Sequence, residues 1–319
     1  MLDLFRCPLC GAPLQRGASS TTGDVRCERD HRFSTEHGYL DLSGDGALDD
    51  TTSRTFESFG FEWNAFDDVR DEDAEFARVY FRDIDLASLA GKTGLDAGCG
   101  KGRYTRFLAP HLGSLVALDG SSAVEAATKN LADFSNVLVV KADLRTPALV
   151  EGRMEFISSL GVLHHLKDPR AGFTRLVDVL APGGTMLLYL YSRPTSLGAR
   201  RAALLLAAGL RRLTVRMPHR VLRGFSTVVA ALLFFGVVQP GALGHRAHIG
   251  PLARLPMSAY RGKPFRSLDL DTFDRLSAPV EHRYTWADLA PWFADAGMVV
   301  EASREETGWF VVARKPLSD

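Results

Sequence analysis

The sequence predicts an α/β fold in which helices cover both faces of a mainly parallel sheet. Short apolar segments that are typical of buried strands alternate with helical stretches along the middle of the chain. A glycine-rich turn follows the first of these strands, and such turns end parallel strands at ligand sites. With 319 residues, 46% of them hydrophobic, the chain can bury one large core and carry a small additional domain.

Each element is predicted from a local pattern. Strands are expected where apolar residues run together, and helices where apolar residues recur at helical spacing. The predicted strands cover residues 94–96, 115–118, 137–140, 156–159 and 185–191, with a closing hairpin of 298–302 and 309–313. The predicted helices cover residues 121–131, 168–180 and 285–296, the last ending at Gly297.

The turn after the first strand is the most informative motif. Residues 94–103 are Gly-Leu-Asp-Ala-Gly-Cys-Gly-Lys-Gly-Arg, and the alternate glycines let the backbone approach a ligand closely. Asp119 ends the second strand about twenty residues on, where a carboxylate can accept both ribose hydroxyls. A dinucleotide site is disfavoured because Arg103 stands where a third glycine is needed, and a P-loop because Lys101 is followed by glycine. The sequence therefore predicts a nucleoside site.

The Asp-x-Gly-x-Gly-x-Gly loop from Asp96 to Gly102 resembles that of class I S-adenosylmethionine methyltransferases. Three further segments resemble the same family in the same order. They are residues 139–144, residues 156–166, and the turn Pro182-Gly183-Gly184 before the strand that ends at Tyr191. The resemblance covers the chain from about residue 90 to residue 192 and implies a Rossmann-like sheet of seven strands.

The same resemblance implies a cofactor and its contacts. The cofactor would be S-adenosyl-L-methionine, with Asp143 at the adenine amine and Asp119 at the ribose. The implied cofactor-binding residues are Asp96, Ala97, Gly98, Cys99, Gly100, Gly102, Asp119, Gly120, Ser121, Asp143, Leu144, Leu160 and Gly161.

Two adjacent histidines, His164 and His165, are the candidate catalytic residues. Imidazole titrates near neutral pH and can remove a proton from a methyl acceptor that needs to lose one. In the resembling family, the loop that carries them faces the methyl group. The alternative is that at least one of the two is a capping or packing residue. A metal role is disfavoured because no further cluster of histidines or carboxylates joins the pair.

The first 42 residues predict a small zinc-binding domain. Cys7 and Cys10 are separated by two residues, and Cys27 and His31 by three, which suits four ligands around one tetrahedral ion. His37 is the second choice for the fourth ligand. A segment of about forty residues cannot build a sufficient core, so the zinc would be structural. The alternative is a segment that has lost its metal.

This segment resembles the zinc domain in front of ribosomal RNA guanine-N1 methyltransferases. That domain also occurs on methyltransferases of small or unknown substrates, so the resemblance supports zinc more than it supports RNA. The chain begins without the basic and apolar runs of a secretory signal, and its four cysteines favour metal or free thiols over disulfides. We therefore expect a cytoplasmic protein.

Two segments join the zinc domain to the core, which is expected to cover residues 56–192. Residues 43–55 are polar and lack apolar periodicity, which predicts a linker. Residues 56–63 are rich in aromatic side chains and resemble the amino-terminal flap that many methyltransferases fold over their cofactor. Simple packing of these aromatic side chains on the sheet is an equal alternative.

An insert is predicted at residues 193–284, before the closing segment 285–319. All thirteen formally charged residues from 193 to 266 are arginine or lysine, in a chain whose formal net charge is zero. Much of the insert is apolar. This composition suits an acceptor with an acidic head and an apolar body, peripheral contact with an anionic membrane, or a helical cap whose arginines are solvated.

A membrane-spanning helix in this insert is disfavoured by the sequence. The stretch 224–244 carries no charge, but Gly236, Pro240, Gly241 and Gly244 interrupt it. An apolar core of about eleven residues remains, where about twenty are required to span a bilayer.

The sequence thus predicts a methyltransferase that acts on a small, amphipathic or acidic metabolite, with the methylated atom and the oligomeric state left open. One alternative is an RNA base methyltransferase. Neutral overall charge, an apolar insert and the replacement of an Asn/Asp-Pro-Pro-aromatic motif by Ser159-Leu160-Gly161-Val162 disfavour nucleic acid as the partner. The other alternative is a non-catalytic scaffold that binds the cofactor.

Overall fold

The structure is a computed structural model that describes residues 1–17, 24–44, 48–145, 148–195 and 199–317. It divides into two compact units, one formed by residues 1–195 and 280–319 and the other by residues 196–279. We call them the core unit and the insert unit. The amino-terminal segment belongs to the core unit, and the domain boundaries predicted from the sequence stay predictions.

The strands are β1 (Leu14–Arg16), β2 (Val25–Cys27), β3 (Arg32–Phe33), β4 (Leu40–Asp41), β5 (Thr93–Ala97), β6 (Ser114–Asp119), β7 (Val137–Lys141), β8 (Met154–Leu160), β9 (Leu180–Tyr191), β10 (Val299–Glu305) and β11 (Gly308–Arg314). The α-helices are α1 (Asp50–Ala65), α2 (Asp71–Tyr80), α3 (Arg103–Leu108), α4 (Val124–Asn130), α5 (Pro169–Val179), α6 (Ala199–Thr214), α7 (His219–Leu233), α8 (Gln239–Arg246), α9 (Gly250–Ala253), α10 (Phe265–Ser277) and α11 (Trp286–Asp295). The strands and helices predicted from the sequence are confirmed, with small shifts at their ends.

The core unit is built on a mixed sheet of strand order β10-β11-β9-β8-β5-β6-β7-β4. The strands from β4 to β9 pair in parallel, and β11 pairs antiparallel with β9 and β10. The predicted seven strands are therefore eight. The additional strand, β4, extends the edge because Leu40 and Asp41 pair in parallel with Val140 and Lys141.

Both faces of this sheet are covered. Successive residues of one strand alternate between two hydrophobic clusters, as in β9, where Leu188 lies in one cluster and Leu187 in the other. The first cluster contains Phe173 of α5 and Leu289 of α11. The second contains Leu108 of α3. This is the layer architecture that the alternating sequence pattern predicts.

The amino-terminal segment packs on the same core rather than forming a core of its own. The strands β1, β2 and β3 form a small antiparallel sheet. Phe5, Val25 and Phe33 are buried in the cluster that also contains the apolar residues of β5 and β8. Phe5 is also bridged to Leu149.

Two local predictions differ from the structure. Helix α1 begins at Asp50, inside the predicted linker, because the side chain of Asp49 accepts a hydrogen bond from the amide of Thr52 and caps the helix. The predicted turn Pro182-Gly183-Gly184 lies within β9. Met154 pairs with Leu180 while Phe156 pairs with Thr185, so the turn is an irregularity in the ladder.

In the insert unit, α7, a π-helical turn (Phe234–Val238) and α8 form one continuous helix of 28 residues, His219–Arg246. The predicted interruption of this stretch is therefore wrong. The π-helical turn ends at Val238, two residues before Pro240, so the missing proline amide falls where the regular hydrogen-bond ladder is already altered. By length and composition alone, this helix could cross a membrane; 28% of its most apolar window is buried inside the structure.

Candidate active site

A pocket in the core unit lies at the carboxyl ends of β5, β6 and β8. The chain runs from β5 to β6 and β7 on one side and returns to β8 on the other, so strand order reverses beside β5. Ligands of open α/β sheets bind at such a switch point. The pocket is lined by Thr55, Phe56, Phe59, Trp63, Gly98, Cys99, Gly100, Lys101, Arg103, Tyr104, Leu118, Asp119, Gly120, Ser121, Leu144, Leu160, Gly161, Val162, His165 and Leu166.

The structure places most of the sequence-predicted cofactor residues on this pocket. Those that line it are Gly98, Cys99, Gly100, Asp119, Gly120, Ser121, Leu144, Leu160 and Gly161. Those that do not line it are Asp96, Ala97, Gly102 and Asp143.

Gly98 and Gly100 adopt φ angles of +83° and +53°, in the left-handed region that strongly favours glycine. A Cβ on Gly98 would lie 2.4 Å from Val162, and a Cβ on Gly100 would lie 3.0 Å from Nε1 of Trp63. The loop therefore needs glycine both for its backbone conformation and for the close approach of neighbouring side chains.

The carboxylate of Asp119 joins the glycine loop to the end of β6. It accepts hydrogen bonds from the amide of Gly100 at 3.0 Å, the amide of Ser121 at 2.8 Å and the hydroxyl of Ser121 at 2.6 Å. Burial raises the pKa of Asp119, and these three hydrogen bonds oppose the shift. The side chain is thus held in one orientation at the pocket wall.

Asp96 does not line the pocket and is buried, with 2% of its surface exposed. Its carboxyl group accepts hydrogen bonds from the hydroxyl of Thr105 at 2.6 Å and the hydroxyl of Ser158 at 3.0 Å. Burial raises the pKa of Asp96 to about 6. Because Thr105 belongs to α3 and Ser158 to β8, Asp96 connects β5 to both elements.

Asp143 is engaged by a neighbouring cation. Arg145 donates to it through the backbone amide at 2.8 Å and through Nη2 at 2.7 Å. Arg145 also contacts Asp49, the capping residue of α1, at 2.9 Å. This ion-pair network fixes the segment after β7, and the neighbouring Leu144 is the residue that reaches the pocket.

Helix α1 supplies aromatic side chains to the pocket wall. Phe56, Phe59 and Trp63 recur at helical spacing, so they share one face of the helix. The ring of Phe59 lies 4.7 Å from that of His165, and a Cβ on Gly120 would lie 2.3 Å from Phe56. The sequence predicts a role for this aromatic stretch as a group. The helical spacing of Phe56, Phe59 and Trp63 is the signal that could have identified these three as the pocket residues.

The two candidate histidines occupy different environments. His165 lines the pocket, and its Nδ1 lies 2.7 Å from the carbonyl oxygen of Val280. Because a carbonyl only accepts hydrogen bonds, Nδ1 carries the proton and Nε2 of the neutral ring carries a lone pair.

His164 is fully buried and does not line the pocket. Among the residues described here, neither of its ring nitrogens has a hydrogen-bond partner, and the ring lies 3.9 Å from that of Tyr191. Burial lowers the pKa of His164 below its ordinary value, so the ring is neutral at neutral pH.

A second cluster, separate from the pocket, brings together the side chains of Cys7, Cys10, Cys27 and His31. Their four ligand atoms all lie within 4.8 Å of one another. The Sγ atoms of Cys10 and Cys27 are 3.7 Å apart, and Sγ of Cys7 lies 3.4 Å from Nδ1 of His31. Tetrahedral zinc, with Zn–S bonds of about 2.3 Å and Zn–N bonds of about 2.0 Å, requires separations of about 3.8 Å and 3.5 Å. The donor set therefore fits zinc.

His37, the second choice for the fourth ligand, lies outside this cluster. Its ring packs 5.9 Å from that of Tyr39.

Comparisons with known proteins identify the part of the chain that carries the pocket. Residues 95–188 match the sequence model of the family described as "Methyltransferase domain". The matched residues contain the glycine loop, Asp119 and both candidate histidines.

The curated relatives align with about a third of this chain. An uncharacterized protein of Synechococcus sp. is 36% identical over 105 residues, which are 31% of this chain and 25% of that protein. An uncharacterized methyltransferase of Mycobacterium bovis is 28% identical over 101 residues, 32% of this chain and 51% of that protein. The chain thus spans about half or less of the length of these relatives.

Among solved structures, a SAM dependent methyltransferase from Aquifex aeolicus is 15% identical, with a TM-score of 0.47, and the alignment covers 80% of this chain and 98% of that one.

Proposed function

We propose that this protein is an S-adenosylmethionine-dependent methyltransferase. The observation that carries the proposal is the pocket at the strand-order switch of the methyltransferase domain, where the glycine loop and the carboxylate of Asp119 meet. When bound, S-adenosylmethionine supplies a methyl group already activated on a sulfonium centre. The protein's own task is then to position the acceptor, exclude water and remove a proton where the acceptor requires it.

The lining residues suit the parts of this cofactor. Asp119 would accept the ribose hydroxyls, and the backbone of Gly98 and Gly100 would pass beside the cofactor. Leu144 and Leu160 would provide apolar surface beside the adenine. Asp143 would act on this segment through its ion pair with Arg145.

We assign the role of general base to His165 rather than to His164. His165 lines the pocket, and its hydrogen bond to the carbonyl of Val280 selects the tautomer whose Nε2 can accept a proton. His164 is buried against Tyr191 and is better suited to packing.

The proposed acceptor is a small, amphipathic or acidic metabolite; which of its atoms is methylated is left open. Both ends of the chain that forms the insert unit leave the core unit near His165. Ser192 is bridged to Tyr284, and the Val280 carbonyl contacts His165 itself. The segment that joins these two core-unit positions contains apolar stretches and, over 193–266, thirteen basic residues, a composition that suits an amphipathic or acidic acceptor.

We propose a structural role for zinc at Cys7, Cys10, Cys27 and His31. Four protein ligands complete a tetrahedral shell and leave no position for a substrate. The zinc would instead stabilise the small sheet of β1, β2 and β3, because β2 ends at the ligand Cys27 and β3 begins directly after the ligand His31.

Calorimetric titration of the purified chain with S-adenosylmethionine and with its demethylated product tests the cofactor assignment. Both should bind, and Asp119→Ala should abolish or greatly weaken binding. The matched control is Asp133→Ala, which alters an exposed aspartate outside the pocket and should bind normally. Absence of binding heat in the wild type would refute the assignment.

Incubation with methyl-labelled cofactor and fractionated cell extract, followed by mass spectrometry, tests the acceptor class. The proposal expects the label in a small organic molecule. Label that is removed by ribonuclease would favour the RNA methyltransferase alternative. Cofactor binding without any labelled acceptor would favour the scaffold alternative.

A further inference from the structure

The insert unit exposes a continuous apolar stripe along one helix. Val221, Val228, Leu232 and Phe235 are 59%, 59%, 69% and 68% exposed, and Phe225 lies between them at 36%. The spacing of four, three, four and three residues keeps all five on one face of the helix His219–Arg246. Isolated exposed apolar residues are ordinary, but a row of five along one face marks an interaction surface.

A neighbouring face of the same helix, about 100° around its axis, is already used inside the insert unit. Leu222, Ser226, Ala230 and Phe234 are buried there. Ala230 and Phe234 share a hydrophobic cluster with Leu268 of α10. Of the stripe residues, Phe235 also stacks 6.5 Å from the ring of Phe265 in α10, while 68% of its surface stays exposed.

Helix α6 repeats this pattern. Leu206, Leu210 and Leu213 are 74%, 37% and 63% exposed and recur at helical spacing. The exposed arginines Arg212 and Arg216 follow on the same helix and in the turn after it. Long guanidinium side chains beside an apolar surface can place their charge at the level of phosphate groups while the leucines are buried.

The charged residues of the helices that carry these stripes all have one sign. Arg220 precedes the stripe of the long helix and Arg246 ends that helix, and both are exposed. No aspartate or glutamate occurs between residues 193 and 266. Apolar stripes on helices whose charged residues are all cations complement a surface that is apolar beneath and anionic at its boundary, which describes a bilayer containing anionic lipid.

A transmembrane path for the long helix conflicts with what packs on it. Arg223 and Asp269 form an ion pair through two contacts of 2.8 and 2.7 Å, which fixes the helix to α10. Helix α10 also carries Asp271 and Asp274. Spanning would carry these charges into the hydrocarbon, where each is costly. The helix can lie along the bilayer surface without moving them.

A second copy of this chain is the poorer partner for the same surface. In a two-fold dimer the same patch meets itself, so the arginines that border the stripes would face one another. Like charges at an interface oppose association, whereas anionic headgroups would be attracted by the same residues.

We propose that the insert unit docks this protein on anionic lipid bilayers, with the exposed stripes of α6 and of the long helix entering the headgroup boundary. The arginines would contact lipid phosphates, and α10 would remain on the aqueous side. Docking of this kind is independent of methyl transfer, so its test does not depend on the proposed enzymatic activity.

Vesicle flotation with the full chain tests the proposal. Vesicles of phosphatidylcholine alone are compared with vesicles containing two parts phosphatidylcholine to one part phosphatidylglycerol. We expect binding to the anionic vesicles at least about tenfold stronger than to the neutral ones, and weaker binding at high salt. Equal binding to both compositions, or none to either, would overturn the proposal.

Two sets of variants separate the apolar and the charged contributions. Leu232→Glu combined with Phe235→Glu should abolish flotation, and Val299→Glu, at a 55% exposed position in the core unit, should leave it unchanged. Arg212→Glu with Arg216→Glu should remove the preference for anionic lipid. Circular dichroism verifies that each variant keeps its helices. A folded stripe variant that floats like the wild type would refute the assignment.

Two further measurements test the two alternatives to surface docking, a dimer of this chain and a helix that spans the bilayer. Sedimentation velocity without lipid should give the same mass for the wild type and the stripe variant; a wild-type dimer that the variant converts to monomer would assign the stripe to a second copy instead. Alkaline carbonate should release the chain from the vesicles. Retention in the bilayer after that treatment would favour a spanning helix and overturn surface docking.

Discussion

Replacing Asp96 by asparagine should remove a pH-dependent destabilisation that this buried carboxyl group imposes on the fold. Burial raises the pKa of Asp96 from its ordinary value of 3.8 to about 6, and hydrogen bonds from Thr105 and Ser158 only partly oppose the shift. The folded chain therefore holds this proton more tightly than the unfolded chain does. The wild type is therefore not destabilised by this group below about pH 4, where Asp96 is protonated in both states. Its stability falls as the pH rises from about 4 through about 6.

The size of this effect follows from the same difference in pKa. At about 1.4 kcal/mol per pKa unit, the interval from 3.8 to about 6 corresponds to about 3 kcal/mol of unfolding free energy. An asparagine side chain is neutral at every pH, and both partner hydroxyls can rotate to match its oxygen and its amide group. Asp96→Asn should therefore gain about 3 kcal/mol relative to the wild type between about pH 4 and about pH 7.

Urea unfolding of both proteins across this pH range measures the difference directly. Comparing the variant with the wild type cancels the titration of the other carboxyl groups. Asp133→Asn is the matched control, because it makes the same chemical change at an exposed aspartate outside the pocket. A stability difference between Asp96→Asn and wild type that does not vary with pH would show that burial does not set the protonation of Asp96.

The remaining predictions concern the pocket wall and the metal cluster. Gly120→Ala should lower the free energy of unfolding by about 1–3 kcal/mol because its Cβ would lie 2.3 Å from Phe56. Adding Phe56→Leu should recover part of this loss. Equal stability of the single and double variants in urea would contradict the clash. Gly161→Ala meets no atom within 4 Å but has a φ of +80°, so urea unfolding should show a loss of only about 1–2 kcal/mol. With a labelled acceptor in hand, His165→Ala should reduce turnover about 100-fold or more while cofactor affinity is kept, whereas His164→Ala should mainly lower the melting temperature; the reverse pattern would exchange their roles. Chelation of zinc should lower both the melting temperature and the cofactor affinity, and a purified chain without about one zinc per molecule would rule out the metal site.

The central sheet and most of the pocket could be predicted because their signals are local. The glycine loop and Asp119 each follow a buried strand, and parallel strands place their carboxyl ends at one edge. Spacing along the chain is therefore enough to predict that these residues meet at that edge. Asp96 and Asp143 do not line the pocket; the hydroxyl of Ser158 donates to the carboxyl group of Asp96, and the guanidinium of Arg145 donates to that of Asp143.

The parts that could not be predicted depend on contacts between distant segments. Strand β4 is two residues long, so it has no periodic pattern, and its pairing with β7 joins Leu40 to Val140. The aromatic residues of α1 were recognisable as a group, but their place on the pocket wall depends on packing against Gly100 and Gly120. In the insert, Pro240 would normally interrupt a helix, but the π-helical turn before it allows the helix to continue.

The expected effect of chelation on cofactor affinity follows from how the metal cluster is joined to the pocket. The chain leaves the cluster after His31 and enters the large sheet as β4, beside β7. The amide of Leu42 donates to the carbonyl of Lys141 at 2.8 Å, at the end of β7 that leads into Leu144. Loss of the metal would release this edge strand and loosen the segment that carries a pocket residue. Chelation that lowers the melting temperature but leaves cofactor affinity unchanged would mean that β4 stays paired without the metal.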